Sequence, residues 1–367
     1  MRKVKIGVVG CGCISEIYMS NLTKLFKNVE LIACTDLIRE RAEERAAQFG
    51  VPKVYEPAEF YADPEIELVV NLTTPQSHNE VDMLALKAGK HVYSEKPFGL
   101  NREVAYEVIK YGKEHNLMVG CAPETFLGGG IQTCRKLIDE GWIGDPVGAT
   151  AFMMGHGHES WHPDPEFYYQ FGGGPMFDMG PYYLTALVST IGPVAKVAGA
   201  TNISFPTRTI TSEKKFGNII DVEVPTYVNG TLTFANGAIG TIITTFDTWD
   251  SQLPRIEIYG SLGTLSVPDP NGFGGPIYYK KPGMKSWQEV PVLFGYQNNS
   301  RGIGVSDMAQ SIIDGRTHRA HGDMAFHVLD IMQAIHESND QEKVIRLTST
   351  FNRPAPFPMG LLDGYID

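Results

Sequence analysis

Lys96 is the residue whose surroundings most directly suggest chemistry. Glu95-Lys96-Pro97 follows the strand expected at residues 91–94, which places Lys96 at the carboxyl end of a short strand. An ammonium there can hydrogen-bond a substrate hydroxyl and lower its pKa, which favours hydride loss from the attached carbon. An exposed loop lysine would look the same in isolation. Asp178 and Tyr182 form a second group, four positions apart and so on one face of any helix that carries them. Gly172-Gly173-Gly174 precedes them, and such a run lets backbone approach a ligand closely. A flexible loop with a helix cap would explain it equally well. The third group is His156-Gly157-His158-Glu159-Ser160-Trp161-His162, with Tyr168 and Tyr169 just downstream. Polar and aromatic groups mixed in this way suit a hydroxyl-rich ligand. His158, Trp161, His162 and Tyr169 are the expected substrate contacts. His-x-His before a proline loop does not fix tetrahedral geometry, and no cysteine or second histidine cluster completes a ligand set, so no metal is expected.

A hydride needs an acceptor, and the start of the chain offers a site for one. Residues 4–9 are an apolar run ending in Gly10-Cys11-Gly12-Cys13-Ile14-Ser15. The first glycine permits a tight turn, and the second lets backbone amides approach a pyrophosphate at a helix N-terminus. Ser15 stands where a third glycine is usual, which small residues tolerate. Gly10, Gly12, Cys13, Ile14 and Ser15 are therefore the expected phosphate cradle. Ordinary turns also use glycines, so the motif is not decisive alone. Asp36 follows at the expected end of the second strand. Its carboxylate can accept hydrogen bonds from ribose hydroxyls and repels a 2′-phosphate, so NAD is favoured over NADP. A plain helix N-terminal acid is the competing reading, and Arg39 and Arg41 keep NADP open. Thr73-Thr74-Pro75 and His78 follow another strand, beside the expected cofactor path. Glu95 and Lys96 close the list of cofactor candidates. Cys11-x-Cys13 reads as two small residues that suit the turn, ahead of a redox or metal pair.

The elements around these residues alternate. Strands are expected at residues 30–35, 68–72, 91–94 and 118–121. Helices are expected at residues 39–49, stopped by Gly50, at 77–88 with a Ser77/Glu80 capping box, and at 101–115 capped by Asn101. This alternation implies a parallel sheet covered by helices on both faces. After about residue 121 the pattern changes. A helix at 131–140 leads to a strand at 147–154, a hairpin around Asn236-Gly237, a second hairpin around Gly260–Gly263, and helices at 306–314 and 324–337. The fold class is α/β: an N-terminal doubly wound parallel sheet of Rossmann type, then an α+β domain with a large, mainly antiparallel open sheet. The expected division is 1–122 for the dinucleotide and 123–367 for substrate and oligomer contacts.

Composition narrows the partners. A net charge of −11 over 367 residues, without a basic cluster, argues against nucleic acid and anionic membrane surfaces. No apolar run approaches the roughly 18 residues of a membrane span. The first residues read directly as a strand, so no signal peptide is expected. Five irregularly spaced cysteines suit reduced thiols in a cytoplasm.

Together, Gly10 to Ser15, Thr74-Pro75 with His78, Glu95-Lys96-Pro97, and Gly173-Gly174 leading to Asp178-Met179-Gly180-Pro181-Tyr182 resemble the Gfo/Idh/MocA family. That family is named after glucose–fructose oxidoreductase, inositol dehydrogenase and the rhizopine catabolism protein MocA. The resemblance covers essentially the whole chain, and Glu-Lys-Pro is its most specific element. It implies an NAD(P)-dependent oxidoreductase of sugars, polyols or related compounds, with Lys96 catalytic and Asp178 positioning substrate or the acid/base group. It also implies an oligomer, a homodimer or homotetramer, built on the large sheet. Two departures matter. The family pattern puts histidine where Tyr182 stands, and arginine often follows the tryptophan matching Trp161, where this chain has His162. Tyr182 is therefore the expected acid/base, on the argument that Lys96 and NAD⁺ favour its phenolate, with His158 or His162 as the alternative. An NAD-using glycoside-cleaving enzyme and a non-catalytic nucleotide sensor are the competing functions.

Overall fold

A computed structural model describes residues 2–367. Strand-forming residues open the chain, and the first domain is built on them: β1 Val4–Val9, β2 Val29–Thr35, β3 Lys53–Val54, β4 Leu68–Asn71, β5 His91–Ser94 and β6 Val119–Cys121. All pair in parallel, in the order β3-β2-β1-β4-β5-β6. β1 and β4 are nearly or wholly buried, as continuous apolar strands in a sheet covered on both faces must be. The intervening helices are α1 Ser15–Lys24, α2 Arg39–Phe49, α3 Pro57–Ala62, α4 His78–Lys87 and α5 Arg102–Glu114. Gly50 ends α2 at φ 69°, a left-handed value that glycine reaches without penalty. Asn101 caps α5, its side chain accepting the Val104 amide at 2.9 Å.

Two details depart from the sequence expectation. The Ser77/Glu80 capping box does not form. Ser77 already has helical angles because its amide closes a turn on the Thr74 carbonyl at 2.9 Å, and its side chain makes no cap bond. β3 escaped notice because two residues are too few to show a period.

The second domain begins with α6 Gly129–Asp139 and β7 Pro146–Met154, followed by α7 Gly174–Asp178 and α8 Gly180–Ile191. Then come β8 Val194–Asn202, β9 Thr207–Thr209, β10 Ile219–Asp221, β11 Tyr227–Phe234, β12 Ile239–Thr245, β13 Ile256–Gly260, β14 Gly263–Val267, β15 Ile277–Lys280 and β16 Gln288–Val290. The chain ends with α9 Ile303–Asp314, α10 Gly322–Gln341 and β17 Ile345–Arg346. Nine of these strands form one sheet, in the order β16-β15-β14-β13-β7-β12-β11-β8-β17. Only β7 and β12 pair in parallel; the other ladders are antiparallel. β9 and β10 form a separate ribbon. The β11–β12 hairpin turns where Asn236-Gly237 stands, with Gly237 alone at positive φ. α10 packs on β8, where a Cβ at Gly199 would lie 2.3 Å from the Ile335 carbonyl oxygen. Every residue of α8 is buried, as expected of a helix that is apolar all round and wedged in an interior.

The last two helices return to the first domain. α9 packs against β1 and β6, and α10 against β6 and α5. Gly120 of β6 pairs with His321, and Asn28 exchanges two hydrogen bonds with Ser306, of 2.9 and 2.7 Å. Arg102 at the start of α5 bridges Asp330 and Glu337 of α10 at 3.0 and 2.6 Å. Beyond the carboxyl ends of β4 and β5 the second domain stands opposite, where Gln76 meets the Phe171 carbonyl and Lys96 meets Asp178. Among the described residues, no helix is long and apolar enough to cross a membrane.

Candidate active site

The turn between β1 and α1 has the shape of an anion cradle. Gly10 takes φ +93°, and a Cβ there would lie 2.8 Å from the Leu72 backbone, so only glycine can occupy it. A Cβ at Gly12 would meet nothing within 4 Å, which marks open space beside the turn. Ser15 closes the turn by donating to the Gly12 carbonyl at 2.6 Å. Cys13 is exposed on it, Ile14 is half-buried, and Cys11 is buried beneath. The Asp36 carboxylate accepts the Cys11 amide at 2.7 Å and the Ile38 amide at 2.8 Å. It therefore fixes the turn and leaves lone pairs for hydroxyl donors. Open space at Gly12, a helix N-terminus and an anchored carboxylate together fit a dinucleotide.

The next wall comes from the ends of β4 and β5. Thr73 is held by the Asn71 side chain at 2.7 Å, while Thr74 is exposed and Pro75 half-buried. His78 does not face the crevice. It is buried, and its ring nitrogens meet the Pro97 carbonyl at 2.8 Å and the Thr73 carbonyl at 3.0 Å. It ties the two crevice loops together from below. Burial holds its pKa below the ordinary histidine value.

Lys96 meets Asp178 across the domain boundary. Its ammonium donates to Asp178 Oδ1 at 3.0 Å and to the Asp178 carbonyl at 2.6 Å. Burial pushes the lysine pKa down, but Asp178, Tyr182 and Glu95 outweigh it and leave it raised. The other carboxylate oxygen, Asp178 Oδ2, lies 3.5 Å from His158 Nε2. The His158 ring stacks on Tyr168 at 3.6 Å, and burial lowers its pKa against the opposing pull of Asp178 and Glu159. A neutral imidazole, a carboxylate and an ammonium thus meet at one point. Arg208 supports this loop from behind, pairing with Glu159 at 3.0 Å and with Asp247, all three nearly inaccessible.

Several expectations change here. The Tyr182 hydroxyl is not on Lys96; the ammonium lies over the ring, 5.3 Å from its centroid, and the hydroxyl meets Arg301 at 3.5 Å. Burial raises the Tyr182 pKa more than Lys96 and Arg301 lower it, so the phenolate is not favoured. Tyr169 is fully buried in a small core with Ile210, Ile220 and Phe246, and cannot touch substrate. His162 points its Nδ1 at the Asp164 amide, 3.0 Å away, and lies edge-on to Tyr168 rather than beside Asp178. Trp161 is 62% exposed on the rim, tilted against His158. The glycine run serves packing: a Cβ at Gly172 would strike Leu100, and one at Gly173 the Phe167 carbonyl. Among the described residues, no cluster of potential metal ligands occurs.

Arg301, at the Tyr182 hydroxyl, was missed, as was Glu124, which accepts the amide of the adjoining Gly302 at 2.5 Å. Each lies outside any motif, and only tertiary packing brings them here. The chemistry of Tyr168 was noted, but its role as the platform under His158 was not.

Two family models match in succession. Residues 4–122 match the oxidoreductase family with NAD-binding Rossmann fold, and residues 131–266 match the GFO/IDH/MocA C-terminal domain. The chain belongs to the Gfo/Idh/MocA family. Myo-inositol 2-dehydrogenase of Thermotoga maritima is 26% identical over 71% of this chain and 74% of its own length. Inositol 2-dehydrogenase/D-chiro-inositol 3-dehydrogenase of Lactiplantibacillus plantarum is 34% identical, over 39% of this chain and 42% of its own length. Among solved structures, an NAD-binding oxidoreductase from Klebsiella pneumoniae superposes with TM-score 0.82 at 20% identity, covering 95% of this chain and 99% of that one. Levoglucosan dehydrogenase, in complex with NADH and L-sorbose, superposes with TM-score 0.79 at 21% identity, covering 95% of this chain and all of that one. The family membership makes the first domain an NAD-binding Rossmann domain.

Proposed function

We propose that this protein is an NAD-dependent dehydrogenase of a hydroxyl-bearing carbon in a sugar, polyol or glycoside. The bridging of Lys96 and His158 by Asp178 carries this reading. NAD⁺ supplies the hydride acceptor when bound. The Gly10–Ser15 turn would hold the pyrophosphate and Asp36 the ribose hydroxyls, with Thr73, Thr74 and Pro75 beside the nicotinamide. Lys96 donates a hydrogen bond to the substrate oxygen and stabilises its developing negative charge. His158 Nε2 takes the hydroxyl proton, and Asp178 positions Lys96 and stabilises the imidazolium that forms beside it. Tyr182 forms the wall beneath Lys96, and its hydroxyl with Arg301 is a secondary contact for the substrate. Trp161 offers an apolar face on the rim, and His162 braces the loop.

In this reading residues 1–122 carry the cofactor, and residues 123–367 carry substrate contacts and subunit contacts. A homodimer or homotetramer in the cytoplasm is proposed. Val147 and Ile239 stand exposed on neighbouring strands of the large sheet, and Leu262 on the turn between β13 and β14, which supports an interface there.

Inositols, anhydrosugars, aldoses and glycosides should be screened with NAD⁺ for the appearance of reduced nicotinamide. Stoichiometric NADH with at least one polyol or sugar is expected. Cleavage of a glycoside without net NADH would replace this reading with the glycosidase cycle, and no turnover with any compound would favour a sensor.

A further inference from the structure

Behind Lys96 lies a buried pair of carboxylates that the reaction does not use directly. Glu124 is 1% exposed and Glu95 7%. The Tyr18 hydroxyl stands between them, 2.7 Å from Glu95 Oε1 and 3.1 Å from Glu124 Oε2. Tyr93 donates to Glu124 Oε2 at 2.6 Å. The Gly302 amide donates to Glu124 Oε1 at 2.5 Å. Glu95 Oε2 accepts the Lys96 amide at 2.7 Å.

A hydroxyl carries one proton, so Tyr18 donates to one carboxylate only. The shorter contact gives that proton to Glu95. The Tyr18 oxygen is then free to accept, and Glu124 Oε2 is the group facing it. A hydrogen-bonded chain therefore runs from Gly302 through Glu124 and Tyr18 to Glu95 and the Lys96 backbone. Its two ends flank Tyr182: Lys96 lies over the ring, and Arg301, the neighbour of Gly302, lies at the hydroxyl.

We propose that Glu124 is a positioning residue, which with Tyr18 and Glu95 holds the Arg301–Gly302 corner and the Glu95–Lys96 loop in register on either side of the reacting centre. The chain needs a proton on Glu124, and its surroundings supply the reason for one. Burial pushes its pKa up to about 7, the neighbouring Glu95 adds to this, and Tyr93, the Gly302 amide and Arg301 oppose it. The groups facing it are Tyr18 from α1, Tyr93 and Glu95 from β5 and its loop, Cys121 from β6, and Arg301 before α9. The inference rests on the dehydrogenase reading for its kinetic part only.

The test uses Glu124→Gln, Glu124→Ala and Tyr18→Phe in the full chain. The first readout is thermal stability against pH, which needs no substrate. A carboxyl whose folded pKa lies above its unfolded value stabilises fully below the unfolded pKa, and that stability is lost as pH rises through the folded pKa. Between pH about 4.5 and about 7 the wild-type folding constant should therefore lose up to about tenfold per unit on account of Glu124. Glu124→Gln should remove that share of the slope. The second readout is NAD⁺ binding, which all three variants should keep within about twofold. The third is kcat with the best substrate of the panel. Glu124→Gln, which mimics the protonated group, should stay within about threefold, while Glu124→Ala and Tyr18→Phe should lose at least about tenfold. An unchanged pH slope in Glu124→Gln, or full kcat in Glu124→Ala or Tyr18→Phe, overturns the proposal. If the panel yields no substrate, the dehydrogenase reading fails while the pH slope still decides the state of Glu124. If Glu124→Ala does not fold, Tyr18→Phe and the Glu124→Gln slope decide.

Discussion

His158→Ala should abolish proton transfer while leaving the fold intact. The variant removes Nε2 from its place 3.5 Å from Asp178 Oδ2. A positioned general base is worth about 10²–10⁴ in rate, or about 2.7–5.5 kcal/mol of barrier. The structural cost is smaller. The ring makes a stacked contact with Tyr168 at 3.6 Å and an edge contact with Phe246 at 4.8 Å. Two such aromatic contacts are worth about 1–3 kcal/mol together, below a typical stability of about 5–15 kcal/mol. Tyr182→Phe is the matched control. Its hydroxyl contact to Arg301, at 3.5 Å, is at the limit of a hydrogen bond. Losing it should cost under about 1 kcal/mol, hence under about fivefold in rate. Initial rates of NADH formation for both variants, with melting curves alongside, give the comparison. The pH profile adds a sign. Burial lowers the His158 pKa, so the neutral base persists down to a pH below the ordinary histidine value of about 6.5, and kcat/KM should fall only below it. Near-native turnover in His158→Ala, with a hundredfold loss in Tyr182→Phe, would refute the assignment and restore the tyrosine.

Lys96→Ala should keep NAD⁺ affinity within about twofold and lose about 10²–10⁴ in rate; a near-native rate removes it from the mechanism. The wild type should bind NAD⁺ more tightly than NADP⁺ in a fluorescence titration. Asp36→Ala should narrow that gap and weaken both cofactors, because the Cys11 and Ile38 amides lose their shared acceptor; tighter NADP⁺ binding by the wild type contradicts this. Arg208→Ala leaves Glu159 and Asp247 buried without their cation, at a cost of about 3–5 kcal/mol. A melting temperature lowered by less than about 2 °C would show that the pair is solvated instead.

The parts of the structure legible in the sequence were those governed by local rules. Gly10 and Gly12 announced their turn because one must adopt positive φ and the other must leave space. Asn101 announced its helix because a side chain three residues before an amide is enough to cap it. Lys96 and Asp178 were found through motifs, although their contact spans 82 positions. What stayed hidden depends on the balance of distant terms. Tyr182 looked like a base because the cations near it could be named, whereas its burial could not be measured. Tyr169 looked like a ligand contact for the same reason, and its half-buried neighbour Tyr168 took the place beside His158. His78 carries an imidazole fit for chemistry, yet two backbone carbonyls claim it. Arg301 and Glu124 belong to no pattern, and three-dimensional packing alone makes them neighbours of the site.

The return of α9 and α10 to the first domain has a consequence for synthesis. The dinucleotide-binding sheet leaves the ribosome before the second domain, yet the cover of β1 and β6 follows most of that domain. Until residues 303–341 emerge, apolar surface that ends up under those helices stays open to solvent. Asn28 waits for Ser306, and the backbone of β6 waits for His321. The domains are therefore not beads that fold in order of appearance. The second is threaded between the beginning of the first and its completion. The closing of α9 onto β1 is also what sets Gly302 on Glu124, so the crevice acquires its final shape only when the molecule is whole.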